Sequence, residues 1–154
     1  MVDIVNSQTG NDTIILDMVF QLNNFPNGKI WVLSYDDTLV EQKIGKNGNS
    51  IAVYKQVGNK AKLILRTLRA SADDILLESR RLLMKKDFPS FIPLHLSLAK
   101  RFGDGTGKIK TETHFCSNGL FSKNSEVETD VDGDTEQSVT SYEISFSSVI
   151  RTLV

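Results

Sequence analysis

Hydrophobic residues recur with a period of two along most of this chain, and that spacing predicts strands. Over residues 14–21, Ile14, Leu16, Met18 and Phe20 alternate with Ile15, Asp17, Val19 and Gln21, which reads as one strand. Residues 29–35 set Ile30 and Val32 opposite Trp31, Leu33 and Tyr35, and residues 23–28 between the two runs have turn chemistry. Residues 39–44 and 51–56 read as a hairpin about Gly45-Lys46-Asn47-Gly48-Asn49, because an Asn-Gly pair tolerates positive φ. A short buried strand follows at Leu63, Ile64 and Leu65 within residues 61–68. Farther on, Leu94, Leu96 and Leu98 alternate with His95, Ser97 and Ala99, and residues 103–107 turn the chain. Residues 108–116, 120–129 and 137–147 complete a set of about eight strands.

One segment breaks the period. Ser71 followed by Asp74 makes a capping-box-like start, and Ile75, Leu76, Ser79, Leu82 and Leu83 then recur at helical spacing. Asp73, Asp74 and Glu78 come early and Arg80, Arg81, Lys85 and Lys86 late, as the helix dipole favours; Pro89 and Pro93 close the segment. Such a stripe cannot be buried by the helix itself, so it is expected to lie against a sheet. The expected fold is mainly β: an antiparallel sandwich or barrel with one flanking helix over about residues 72–86, formed by a single domain at 13–154 behind a polar N-terminal arm at 1–12.

With 154 residues the chain has the length of one domain. No apolar run approaches the ~18 residues of a membrane span, and residues 1–12 lack the pattern of a signal peptide. The single cysteine, Cys116, leaves no internal disulfide and fits a reducing compartment. The net charge of −1 argues against a dedicated nucleic-acid binder, yet it hides a segregation. Residues 61–110 carry eleven basic and five acidic side chains, whereas residues 111–154 carry two and eight. Opposite regions of this kind can pair within one protomer, remain solvated, or join neighbouring copies in a defined register.

Chemical motifs are few. Residues 103–108, Gly-Asp-Gly-Thr-Gly-Lys, miss the phosphate-loop and dinucleotide spacings and read as a hairpin turn. Asp130-Val131-Asp132-Gly133-Asp134 begins like a calcium loop, but Thr135 stands where Gly is needed and Ser141 where a bidentate Glu belongs. His95, His114 and Cys116 do not form a zinc set. His114 and Cys116 share a strand face, which suits a nucleophilic pair or, more simply, a core cysteine beside a half-buried histidine. No cofactor, metal or catalytic set is expected. Glu126, Glu128, Asp130, Asp132, Asp134 and Glu136 occupy every second position, so wherever the segment is extended they share a face. That face must meet water, a cation or a basic partner.

Four pieces taken in order resemble tail tube proteins of contractile-tailed bacteriophages and related phage-tail-like particles: Gly45–Asn49 after a strand, Leu68–Asp74 opening the helix, Phe102–Gly107, and Gly133–Val139 before the last strand. The resemblance spans about residues 12–150, although Asp130 and Asp132 make that loop more acidic than the family pattern. It implies a virion protein assembled in the host bacterial cytoplasm, with six copies per ring and rings stacked into a tube. Viral DNA would pass through the lumen without specific binding, and the partners implied are sheath, baseplate and tail-terminator proteins, with no membrane.

On this expectation Arg80, Arg81, Lys85 and Lys86 would meet Glu126, Glu128, Asp130, Asp132, Asp134 and Glu136 of a neighbour across a head-to-tail contact. Lys46, Asn47 and Asn49, together with the N-terminal arm, would reach the next ring. Asp17, Glu41, Glu112 and Glu143 would line the lumen, where an acidic or neutral wall lets DNA slide. A secretion-type tube, or a baseplate or terminator ring of the same fold, is the alternative.

Overall fold

A computed structural model describes residues 7–8, 13–26, 28–35, 39–54, 60–127 and 139–154. Its strands are β1 (Ser7–Gln8), β2 (Thr13–Leu16), β3 (Phe20–Leu22), β4 (Trp31–Tyr35), β5 (Val40–Ile44), β6 (Ser50–Tyr54), β7 (Ala61–Leu68), β8 (Leu94–Gly103), β9 (Ile109–Phe121), β10 (Glu126–Val127) and β11 (Val139–Leu153). Helix α1 (Ala72–Lys86) follows β7, and a 3-10 turn covers Phe88–Ser90. The main sheet runs β3-β2-β8-β9-β11-β7-β4, with β1 on β8 and β10 on β11, and all of these pairs are antiparallel.

The two ends of this sheet bury side chains in one core. Ile14, Leu16 and Leu22 come from one end, Ala61, Leu63 and Leu65 from the other, and Leu96, Leu98, Ile144 and Phe146 from the middle. One sheet can do this only by curling so that its halves face each other, which gives the expected sandwich-like β fold. Bonds from Arg66 N–H to the Ile30 carbonyl (2.8 Å) and from Leu68 N–H to the Asn24 carbonyl (2.9 Å) tie the β3–β4 connection to β7. Among the described residues, no helix is long and apolar enough to cross a membrane.

The structure corrects four expectations. Residues 14–21 are not one strand: the chain folds back at Asp17 and Met18, whose φ values of 52° and 60° are those of a type I′ turn. No Asn-Gly pair announces this turn, and tertiary bonds hold it instead. Asp17 N–H donates to the His95 carbonyl (2.7 Å), and His95 N–H donates to Asp17 Oδ1 (3.1 Å).

The second correction concerns residues 108–129, read as two strands. They form the unbroken β9 and then, after residues 122–125, the two-residue β10. Asn118-Gly119 looks like a turn but is a bulge: Leu94 and Leu96 of β8 face Gly119 and Cys116, two residues against three, and Asn118 takes φ 57°. Gly119 is required there, because a Cβ would lie 2.5 Å from Phe146 Cε1. Third, the last strand runs to Leu153 rather than stopping at Ser147. Its inward positions step from Phe146 to Val149 opposite this same bulge, which breaks the simple alternation.

The helix is the fourth correction. Its bounds and cap are as expected, with Ser71 Oγ accepting from Asp74 N–H. Its apolar stripe, however, points outward. Leu77 and Asp73 are buried and Leu76 and Met84 pack on the core, while Ile75, Leu82 and Leu83 are 64%, 50% and 57% exposed. Two acids attach the helix to the sheet. Asp73 Oδ2 accepts from the N–H groups of Asn23 (2.7 Å) and Asn24 (2.6 Å). The Asp74 carboxylate accepts from the Tyr142 hydroxyl, from Thr140 Oγ1 (3.2 Å) and from Ala70 N–H (2.8 Å). Burial, reinforced by the Asp74 carboxylate, pushes the Tyr142 phenol well above its ordinary value.

Candidate assembly interface

Strands β5 and β6 form a separate two-stranded sheet in which every residue is exposed. Around its tip, Gly45 N–H donates to the Asn49 carbonyl (2.8 Å), Gly48 N–H donates to the Gly45 carbonyl (3.1 Å), and Gly48 takes φ 83°. Asn47 does not share the positive φ, so the turn is a three-residue loop with a bulge at Gly48 rather than the two-residue Asn-Gly turn. Lys46, Asn47 and Asn49 stand exposed at this tip.

Register places Val40 opposite Tyr54, Gln42 opposite Ala52 and Ile44 opposite Ser50, so these six residues share an uncharged face. The reverse face carries Glu41, Lys43, Ile51 and Val53. An isolated hairpin of this length is marginal in water, and one this apolar needs a surface to cover it.

A second exposed apolar region surrounds the helix. Ile75, Leu82 and Leu83 of α1, with Phe88 and Ile92 beyond it, remain open to solvent. Between the helix end and the following segment lies a cleft of about 410 Å³ lined by Arg80, Leu83, Lys86, Asp87, Ser90, Phe91 and Ile92. Arg80 leaves this cleft to pair with Asp17 (3.0 Å), which connects it to the turn where Met18 is 88% exposed.

The basic residues of the helix therefore have different fates. Arg80 pairs with Asp17. Arg81 pairs with Glu78 and donates to Asn124 Oδ1 (2.9 Å); this arginine holds the Glu78 carboxyl below the usual carboxylate range. Lys85 and Lys86 are exposed. Of the acidic row, Glu126 is exposed on β10, opposite Ser141, while Glu128, Asp130, Asp132, Asp134 and Glu136 lie outside the described residues, as does the calcium-like segment. Arg81 and Lys85 share a second cleft with Lys123 and Asn124, which brings the basic helix end close to the start of the acidic segment.

The four acids expected in the lumen are scattered. Asp17 sits in the β2–β3 turn and Glu41 on the separate hairpin. Glu112 accepts from Arg151 (2.8 Å) and bonds His114 Nε2 (2.8 Å), and the arginine, more than the histidine, lowers its carboxyl pKa. Glu143 accepts from Ser122 Oγ (2.9 Å) and pairs with Lys123 (3.4 Å), and the serine bond leads the causes that lower its pKa.

His114 and Cys116 are both buried core residues. His114 is directed to Glu112, and burial pushes the Cys116 thiol up to about 12, which removes the thiolate a nucleophile needs. Among the described residues, no group of three His, Cys, Asp or Glu side chains could hold a metal ion. Residues 103–108 are the β8–β9 hairpin turn, closed by Asp104 Oδ1 accepting from the Thr106 N–H (2.8 Å) and hydroxyl (2.6 Å).

The fold has a solved counterpart. A chain in the cryo-EM structure of the anti-feeding prophage (AFP) baseplate, 6-fold symmetrised, superposes with a TM-score of 0.53 at 13% sequence identity, over 92% of this chain and 90% of that one. The two chains therefore share a fold. No family model matches the sequence, and no curated protein matches it. The identity is far too low for a sequence signal, so the likeness lies in the path of the backbone.

Sequence reasoning missed the interior roles of Asp73, Asp74 and Tyr142. Adjacent acids after a Ser cap were visible, but they satisfy the helix dipole equally well. Only the fold brings Asn23, Asn24 and Tyr142 to them.

Proposed function

We propose that this chain is a structural subunit of a phage-tail-like particle, a tail tube-type protein whose copies close into six-membered rings that stack into a conduit for viral DNA. The observation that carries the reading is the backbone likeness to the AFP baseplate chain over nine-tenths of both molecules. The exposed hairpin and the apolar helix face support it, since a lone soluble domain gains nothing from leaving both uncovered. Sheath, baseplate and terminator proteins are the partners in this reading, the location is the virion tail, and the role is mechanical rather than catalytic, with no cofactor.

The DNA path is near neutral in this reading. Arg80, Arg151 and Lys123 offset Asp17, Glu112 and Glu143, so a wall holding any of these acids neither traps a polyanion nor repels it strongly. Because the solved counterpart belongs to a baseplate, a second reading is a ring protein that forms one layer and stops.

Negative-stain microscopy of the purified chain tests both. Tubes or rings about 80–100 Å across are expected for six subunits of this size. Stacked tubes favour the tube reading and single rings the baseplate reading, while monomers at high concentration refute both.

A further inference from the structure

We propose that the basic tip of the β8–β9 hairpin of one copy receives the acidic segment 126–136 of the next copy, so that copies join end to end through opposite charges. This deepens the assembly reading above and rests on it.

The two surfaces belong to opposite ends of the sheet. Register puts Gly103 opposite Ile109 at the hairpin tip, and β9 runs from there beside β11 until Phe121 faces Ile144. At the other end of β11, Thr140 pairs with Val127 and Val139 with Leu68, so the acidic segment leaves and rejoins the sheet there. Residues 140–153 of β11 separate these ends by about 40 Å of extended strand. The eleven residues between Val127 and Val139, tied at both ends, can reach out about 20 Å at most. The segment therefore cannot meet the tip of its own chain.

Their charges are complementary. Residues 100–110 carry Lys100, Arg101, Lys108 and Lys110 against Asp104, a net of +3, whereas residues 126–136 carry six carboxylates and no base. Arg101, Lys108 and Lys110 are exposed and, among the described residues, pair with no acid. Asp104 is occupied by Thr106. At the acidic end, Arg81 and Lys123 are already held by Glu78 and Glu143, which leaves Lys85 of the cleft there against six carboxylates. Carboxylates spaced this closely repel one another, and a cationic surface brought by a second copy relieves the repulsion. A contact between unlike ends of one molecule is head-to-tail and propagates from copy to copy.

Charge reversal combined with mixing tests the contact. In full-length chains, Arg101→Glu/Lys108→Glu/Lys110→Glu turns the tip from +3 to −3, and Glu128→Lys/Asp130→Lys/Asp132→Lys/Asp134→Lys turns the segment from −6 to +2. Each variant alone sets like charge against like, so the concentration at which it assembles, read by light scattering, should rise about tenfold or more with circular dichroism unchanged. An equimolar mixture offers each reversed end its complement on the other variant and should assemble within about threefold of the parent threshold. The neutral Arg101→Gln/Lys108→Gln/Lys110→Gln variant, gentler on folding, should raise the threshold about threefold or more.

An unchanged threshold for any of these variants alone overturns the proposal. So does a mixture no better than its components, because mixing cannot restore charges that paired within one chain or residues needed only for folding. In either case, rings or tubes from the parent chain leave the assembly reading standing. A parent chain that never assembles sinks both.

Discussion

Asp73→Ala is the most direct test of how the helix is attached to the sheet. One oxygen of a buried carboxylate, Oδ2, accepts both the Asn23 and the Asn24 N–H groups, at 2.7 and 2.6 Å. Hydrogen bonds to a charged group contribute about 1.5–3 kcal/mol each. Asn23 is exposed and Asn24 half-buried, so water can reach the freed donors, and the variant also escapes the cost of burying the carboxylate. The net loss should therefore be near 2 kcal/mol, below the sum of two full bonds. For a domain of this length that lowers Tm by roughly 4–8 °C.

Asp73→Asn isolates the cause. An amide oxygen in the same position keeps both bonds but loses their charge, so this variant should lose about 1 kcal/mol, roughly half as much. The assay is urea unfolding followed by circular dichroism, at protein concentrations where the midpoint no longer depends on concentration. Stability of Asp73→Ala within about 0.5 kcal/mol of the parent chain would refute the reasoning, and so would Asp73→Asn proving the weaker of the two.

Met18→Gly should stabilise the chain by about 1 kcal/mol, seen as a raised urea midpoint, because it relieves a left-handed backbone at a side chain that is 88% exposed. Gly119→Ala should lose about 1–3 kcal/mol by overpacking against Phe146 and Ile144, and a Gly119→Ala/Phe146→Leu double mutant should lose less than the two single losses combined. The Glu112 carboxyl is held low by Arg151 in the folded chain, so its stabilisation is present above the unfolded value of about 4.3 and drains away as pH falls from there through the folded value. A pH series of urea midpoints should therefore decline less steeply below pH 4.3 for Glu112→Gln than for the parent, and parallel curves would remove Glu112 from the acid response.

Local signals in the sequence determined the elements. The Ser71 cap and the position of Pro89 bound the helix, the apolar run at Leu63–Leu65 marked β7, the two-residue period marked β8, and glycines marked the tip at 45–49 and the turn at 103–107, because each depends on neighbours within a few residues. Three things were decided only by tertiary structure. Asp17-Met18 turns because His95 and Arg80 hold it, and Asn118-Gly119 bulges within a strand paired on both sides, with Phe146 in the space of a Gly119 Cβ; these partners are distant in the chain.

The orientation of α1 is the most consequential of the three. Its sequence offers an apolar stripe at Ile75, Leu82 and Leu83 and another at Leu76, Leu77 and Met84, and periodicity treats the two alike. The Asp73 and Asp74 anchors turn the second stripe inward and leave the first exposed. Segregated charge pointed to the late helix residues as a contact between copies, yet Arg80 and Arg81 are engaged within their own chain. Apolar surface left uncovered after folding can be known only once the core has been filled.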